Sequence, residues 1–104
     1  MSLSSKDIIN IIKESGTETY NEHYKHSSFI VHYEAVITDH LIEVWKDEYD
    51  LNSYKGMKFS ASGLWDTTYG LELDEWWIEE PITVHVPEQI IPAHDIIEWE
   101  RIGD

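Results

Sequence analysis

The sequence has no cysteine, few basic residues and no long apolar run. Without cysteine, neither a disulfide framework nor thiolate chemistry is available, and this composition suits the cytosol. No stretch approaches the roughly 18 apolar residues of a membrane-spanning helix. The sequence also contains no glycine-rich phosphate loop, nucleophile elbow or His-Glu-x-x-His zinc motif. We therefore expect a protein that is not an enzyme and that needs no cofactor.

The scarcity of basic residues leaves a large negative charge. Seven Lys and Arg stand against 21 Asp and Glu among 104 residues, and the formal net charge is −14. Sixteen of the acids but only four of the bases follow Thr38, so residues 39–104 carry −12 and residues 1–38 carry −2. Such a charge opposes compaction through self-repulsion, repels nucleic acid and anionic membranes, and attracts basic surfaces.

Length and composition predict one domain that spans residues 1–104. Apolar residues make up 41% of the chain, which is enough for a small core and too much for a disordered acidic tail. Residues 1–7 carry charges where a signal peptide needs an apolar run, so we expect a cytoplasmic protein.

The order of local patterns predicts an α+β fold. Ser4 and Asp7 have the spacing of a capping box, and isoleucines at helical spacing follow as far as Gly16, which predicts a helix over residues 5–15. Residues 17–27 fit a short helical turn or a loop equally well. Beyond them the apolar period changes to two, and turn residues divide the chain into short strands over 29–37, 41–45, 57–61, 71–78, 82–86 and 95–102. We expect about six strands in a mostly antiparallel sheet, curled into a small, partly open barrel.

Carboxylates and tryptophans interleave most densely in residues 71–80, which contain five acids and no base. Strand alternation predicts that Glu72 and Asp74 share a face with Trp76. It also predicts that Glu75 and Glu79 flank Trp77 on the other face. The candidate partner-binding residues are Glu72, Asp74, Glu75, Trp76, Glu79, Glu80, Glu98 and Glu100. The simpler alternative is that these acids are the solvated positions of strands, where charge keeps edges from pairing with other chains.

All five tryptophans follow Thr38. Tryptophan is mostly a core residue, and alternation places Trp45, Trp77 and Trp99 on inward faces. Because Trp76 and Trp77 are adjacent in a strand, they point to opposite faces, so one of them is exposed or covers a second apolar layer. We expect Trp76 to be the apolar anchor of an interface.

Six histidines raise the question of a metal site. His23 and His26 are three residues apart, a spacing that lets both face one ion in a helix, and residues 39–40 and 94–95 each pair a histidine with an aspartate. No spacing selects a particular metal. Scattered surface histidines are the interpretation that we favour, and no metal site is predicted.

These features favour a non-enzymatic inhibitor that binds a basic, nucleic-acid-handling protein, such as a nuclease, through an acidic surface. A row of carboxylates on a stiff sheet can act as a DNA mimic towards a basic groove. In general character the chain is similar to phage anti-defence inhibitors of host nucleases and to bacterial immunity proteins, a similarity of type rather than of motif. Two alternatives stay open. One is a barrel that binds a small neutral ligand such as a sugar between Trp65, Tyr69 and Trp76, and the other is a structural homo-oligomer, such as a homodimer.

Overall fold

A computed structural model describes residues 3–102. In chain order the elements are α1 (Ser5–Ser15), β1 (Thr17–Lys25), β2 (Ser28–Val36), α2 (Asp39–Trp45), a 3₁₀ turn (Asn52–Tyr54), β3 (Lys58–Asp66), β4 (Gly70–Val86) and β5 (His94–Ile102). The predicted α+β fold is confirmed, but the sheet has five strands rather than six. The ends of the predicted domain, residues 1–2 and 103–104, lie outside the described part of the chain.

Helix α1 has the bounds and the cap that the sequence predicts. The Ser4 Oγ accepts a hydrogen bond from the Asp7 backbone N–H at 3.2 Å, and the Asp7 carboxylate accepts one from the Ser4 N–H at 3.0 Å. The bond from the Ser4 N–H lowers the pKa of Asp7 because it favours the charged carboxylate. Ile8, Ile11 and Ile12 are buried, so the apolar face of the helix packs on the core.

Residues 17–27, which we expected to form a helical turn or a loop, form strand β1 and the turn after it. All nine residues of β1 are exposed, so neither face shows the apolar alternation by which a strand is recognised. The strand is held by antiparallel pairing with β2, from Thr17 opposite Glu34 to Lys25 opposite Ser28. Its threonines and tyrosines favour extended backbone, which agrees with this pairing.

Residues 41–45, which we predicted to be a strand, belong to helix α2. Thr38 is the N-cap, and its Oγ1 accepts a hydrogen bond from the Leu41 N–H at 3.3 Å. Trp45 is buried at the end of the helix, where its indole N–H donates to the Ser15 Oγ at 2.9 Å. The cap and this burial outweigh the period-two pattern of a very short segment.

Strands β3 and β4 are longer than predicted. We expected turn chemistry over residues 62–70, but β3 continues to Asp66. We expected Pro81 to end a strand, but β4 runs through it to Val86. Pro81 lies beyond Glu79, the last β4 residue that pairs with β3, so β4 is itself an edge there and tolerates a residue without an N–H. Two predicted strands are therefore one.

The five strands form one antiparallel sheet in the order β1-β2-β3-β4-β5, curled into half a barrel. Helix α1 packs against β2, β3 and β4, and we call the face of the sheet that it covers the inner face. The opposite side is the outer face. The core between the helices and the inner face consists of Ile8, Ile11, Ile12, Val31, Ile37, Trp45, Leu51, Phe59, Ala61 and Leu73.

Candidate partner-binding surface

The hairpin of β4 and β5 extends past the part of the sheet that the other strands build. β3 pairs with β4 only as far as Glu79, whereas β5 pairs with β4 as far as Val86. We call residues 80–102 the β4–β5 arm; they contain five acids and one base, Arg101. The radius of gyration is 16.4 Å, and the longest dimension is 51 Å. A compact domain of this length has a radius of gyration of about 13 Å, so the molecule is elongated.

A β-bulge in β4 decides which face each predicted acid occupies. Between the pairs that Ser62 and Gly63 make with β4, Asp74 is an extra residue without a partner. Alternation therefore breaks at Asp74, and Glu72 lies on the outer face while Trp76 lies on the inner face. The expectation that Glu72 and Asp74 share the face of Trp76 is wrong.

On the outer face, Glu75 and Glu79 flank Trp77 as predicted. Both carboxylates have a basic partner within the molecule. An oxygen of Glu75 lies 3.6 Å from an Arg101 nitrogen, and an oxygen of Glu79 lies 3.2 Å from the Lys58 Nζ. Because these charges are already compensated, they are less available to a basic partner.

On the inner face of the arm, the three other predicted glutamates lie together. Glu80 of β4 is directly opposite Glu100 of β5, and Glu98 is on the same face two residues earlier. Direct cross-strand partners have Cβ atoms about 5 Å apart, and like charges in this position repel. Among residues 3–102, no Lys or Arg lies within 4.0 Å of any of these three carboxylates. This group is the part of the predicted surface that most needs an external cation.

The two adjacent tryptophans take the opposite places from those predicted. Trp76 lies opposite Ala61 on the inner face and packs against the core, so its ring is half-buried rather than a free anchor. Trp77 lies on the outer face, where its ring is 5.2 Å from the His32 ring and 4.7 Å from the guanidinium carbon of Arg101. Trp77 therefore belongs to a second, smaller layer on the outer face. Trp99, which we also expected on an inward face, lies in the same outer layer.

Lys58 lies at the centre of that outer layer, although no sequence pattern marks it as a candidate site residue. Its side chain is only 10% exposed, and its Nζ lies 3.3 Å from a Glu34 oxygen and 3.2 Å from a Glu79 oxygen. The ammonium group also lies 4.6 Å from the centroid of the Trp99 ring, a cation–π geometry. The buried Ser60 Oγ donates to Glu79 at 3.1 Å. These contacts join four strands and fix the base of the arm to the rest of the sheet.

Exposed aliphatic side chains accompany the acids of the arm. Ile90, in the loop of residues 87–93, is fully exposed, and its neighbour Ile91 is 56% exposed. Ile97, on the outer face of β5, is 67% exposed. Apolar side chains that gather at one end of a folded domain are typical of an interaction surface.

The aromatic residues of the alternative ligand pocket do not converge. The Trp65 ring lies on the inner face, 5.6 Å from the Phe29 ring, and Tyr69 is 90% exposed in the turn between β3 and β4. A surface depression of about 240 Å³ is lined by Tyr69 but by neither Trp65 nor Trp76. The geometry therefore gives no support to a sugar-binding pocket built from these three residues.

Asp66 organises the turn from β3 to β4. One carboxylate oxygen accepts hydrogen bonds from the hydroxyl groups of Ser28 at 2.8 Å and Ser27 at 3.1 Å. The other accepts from the backbone N–H groups of Thr68 at 2.7 Å and Tyr69 at 3.1 Å. These bonds, led by the one from Ser28, lower the pKa of Asp66 because they favour its charged form.

The histidines do not come together around a common point. His23 contacts the backbone carbonyl of His26 at 2.8 Å, and Asp95 contacts His85 at 3.0 Å. In the part of the chain that the structure describes, no group of three or more His, Asp or Glu is placed to hold a metal ion.

Comparisons of the chain with protein-family models, with curated proteins and with solved structures found no match. Within residues 3–102, no helix has both the length and the apolar character needed to cross a membrane. The geometry of the β4–β5 arm is therefore the main guide to function.

Proposed function

We propose that this protein is a non-enzymatic inhibitor of a basic, nucleic-acid-handling protein and that it binds its target through the β4–β5 arm. The observation that carries the proposal is the group of Glu80, Glu98 and Glu100 on one face of the arm without a basic partner. A Lys or Arg of the target, placed among these carboxylates, relieves the repulsion between Glu80 and Glu100 and forms charge-assisted hydrogen bonds. The arm therefore gains more from a basic partner than an evenly charged surface does.

A basic groove suits the shape of the arm. The arm is a two-stranded ribbon, and Glu98 and Glu100 repeat along β5 at about 6.6 Å, so they form a row as phosphates do in a nucleic acid. Exposed Ile90 and Ile91 at the tip add apolar contact area. Occupation of the groove by the arm excludes nucleic acid by both volume and charge. A cysteine-free chain suits the reducing cytoplasm, which we propose as its site of action.

Affinity capture from a cell lysate tests the proposal with two matched variants. The arm-reversed variant carries Glu88→Lys, Glu98→Lys and Glu100→Lys. The body-reversed variant carries Glu14→Lys, Asp47→Lys and Glu48→Lys. All six positions are exposed, and both variants change the net charge by the same amount.

At low ionic strength, we expect the wild-type protein and the body-reversed variant to capture the same basic nucleic-acid-binding proteins, as identified by quantitative mass spectrometry. The arm-reversed variant loses them, and either high salt or added duplex DNA releases them from the wild-type protein. Equal capture by both variants would remove the arm from the proposal. A captured set that is not enriched in basic proteins would refute the proposed class of target.

A further inference from the structure

Apart from the β4 segment beyond Glu79, whose unpaired side carries Pro81, the sheet ends in two edge strands, β1 and β5. These two edges differ in how they are protected. Pairing of β1 is irregular between Glu18 and Tyr20 and again between His23 and Lys25. Such bulges twist an edge strand and hinder pairing with foreign strands. In contrast, β5 pairs with β4 residue by residue over its whole length, His94–Ile102, without irregularity, and it contains neither Pro nor Gly.

The far side of β5 pairs with no strand in the described part of the chain. It therefore presents a row of backbone N–H and C=O groups that another extended chain can use. Natural proteins block such an edge with a bulge, a proline or charged side chains. β5 has no bulge and no proline, and its inner-face charges, Glu98 and Glu100, are both negative, so they disfavour an acidic strand but not a basic one.

The two faces of β5 differ in chemistry. Over residues 97–100, Glu98 and Glu100 lie on the inner face, and Ile97 and Trp99 lie on the outer face. Towards both ends of the strand each face is of mixed chemistry. Ile97 is 67% exposed, although it is a strand residue. A strand added alongside β5 places its own side chains about 5 Å from these rows. Opposite residues 97–100 it therefore meets carboxylates at alternate positions and apolar side chains at the positions between them.

We propose that the free edge of β5 accepts an extended segment of the basic partner as a sixth strand of the sheet. This inference rests on the proposed function and adds the manner in which the partner is recognised. The segment has Lys or Arg at alternate positions, opposite Glu98 and Glu100, and apolar residues between them, opposite Ile97 and Trp99. Main-chain hydrogen bonds supply affinity, and the alternating side chains supply specificity.

A second copy of this chain fits the same edge less well. Full antiparallel pairing of β5 with itself places Glu98 directly against its own counterpart, although it also pairs Arg101 with Asp95. A shift of two residues towards the C-terminal end places Glu98 against Glu100. A shift the other way places Glu98 against Ile96, where it gains no counter-charge. Like charges in direct opposition are destabilising, and two copies that each carry a net charge of −14 repel each other in every register, so a basic segment is the better occupant.

Synthetic peptides of alternating Lys and Val, with both ends capped, test the inference. In an extended chain, the N–H groups of successive residues point to opposite edges. One peptide is therefore N-methylated at every Lys and another at every Val, so that each blocks one edge while both keep the charge of the parent. Binding is measured at low ionic strength by chemical-shift changes in the isotope-labelled full chain.

If the peptide binds as an added strand, one of the two methylated peptides binds about a hundredfold more weakly than the parent, because it loses several main-chain hydrogen bonds. The other methylated peptide binds nearly as well as the parent. Shift changes centre on the backbone of β5 rather than β1. The Glu98→Gln/Glu100→Gln variant binds about tenfold more weakly, whereas the matched Glu18→Gln/Glu22→Gln variant on β1 is unaffected.

Strand addition is overturned if both methylated peptides bind equally well, if the chemical-shift changes lie on β1, or if the parent peptide does not bind at all. If the two methylated peptides bind equally but the β5 variant still loses affinity, the electrostatic proposal survives without strand addition. If that variant also binds normally, both proposals fail. Light scattering tests whether a second copy is the occupant instead. A dimer that becomes more stable in the Glu98→Gln/Glu100→Gln variant would identify a second copy, and this result too would overturn the inference.

Discussion

Replacement of Lys58 by methionine is expected to be the most destabilising single change on the outer face of the sheet. Methionine keeps the length of the apolar stem but removes the ammonium group that lies between Glu34 and Glu79. Loss of one partner from a buried ion pair costs about 3–5 kcal/mol, because the other charge is left uncompensated. The two carboxylate side chains keep 30% and 19% exposure, so water screens part of this cost. We expect a loss of about 2–3 kcal/mol in the free energy of unfolding.

Urea denaturation followed by tryptophan fluorescence measures this loss. The signal includes Trp99 and Trp77, which lie in the same layer as Lys58. The matched control is Lys55→Met, because the Lys55 Nζ lies 2.9 Å from an Asp39 oxygen but both side chains are mostly exposed. An exposed pair of this kind contributes about 0.2–1 kcal/mol, so the control should change stability little.

A combined variant separates the charge effect from a packing effect. Lys58→Met together with Glu34→Gln and Glu79→Gln removes the cation and both anions, and the amide oxygen introduced by Glu79→Gln can still accept a hydrogen bond from the Ser60 hydroxyl. If uncompensated carboxylates cause the loss, the combined variant regains most of the stability that Lys58→Met loses. The reasoning would be contradicted if Lys58→Met lowered the free energy of unfolding no more than Lys55→Met does. It would also be contradicted if the combined variant lost as much stability as the sum of its separate substitutions.

Three further predictions concern the bulge, the indole contact and the β3–β4 turn. Gly63→Ala places a Cβ atom 2.0 Å from the Glu72 carbonyl oxygen, so we expect a loss of about 2–3 kcal/mol in urea denaturation. A change of under about 0.5 kcal/mol would contradict the close approach of the two strands. Ser15→Ala leaves the buried indole N–H of Trp45 without its acceptor and should lower the free energy of unfolding by about 1–3 kcal/mol. An unchanged midpoint of urea denaturation would contradict that hydrogen bond. Because the pKa of Asp66 is lowered from 3.8, its charged form stabilises the fold above that pH, and the stabilisation is lost as the pH falls through the lowered pKa. The melting temperature of the Asp66→Asn variant should therefore lie furthest below that of the wild-type protein near neutral pH and closest to it in strong acid. A difference in melting temperature that does not change with pH would contradict this prediction.

Local signals explain the parts of the fold that the sequence predicts correctly. The capping box of Ser4 and Asp7 and the isoleucine spacing need no distant contact, and α1 has the predicted bounds. Strand β1 has no such signal, because it owes its conformation to hydrogen bonds with β2 and buries neither face. Pro81 predicts the end of a strand when only its sequence neighbours are considered. The strand continues because β4 is an edge at that residue, which only the pairing of the strands reveals.

The candidate site is predictable in composition but not in geometry. The acids of residues 71–80 lie in a strand as expected, yet the bulge at Asp74 moves Glu72 to the face opposite Trp76. A bulge depends on the close approach of two strands, and strand alternation alone cannot reveal it. Burial of Lys58 is equally hidden, because it arises from neighbours on three other strands.

The most direct test of the central claim is the association rate with a captured basic partner, measured as a function of ionic strength. Because steering by the arm depends on long-range charge, the rate of the wild-type protein and of the body-reversed variant should fall steeply as salt increases. The arm-reversed variant should associate slowly at low salt, with little dependence on salt. Equal salt dependence for the two reversed variants would contradict the claim that the β4–β5 arm binds the partner.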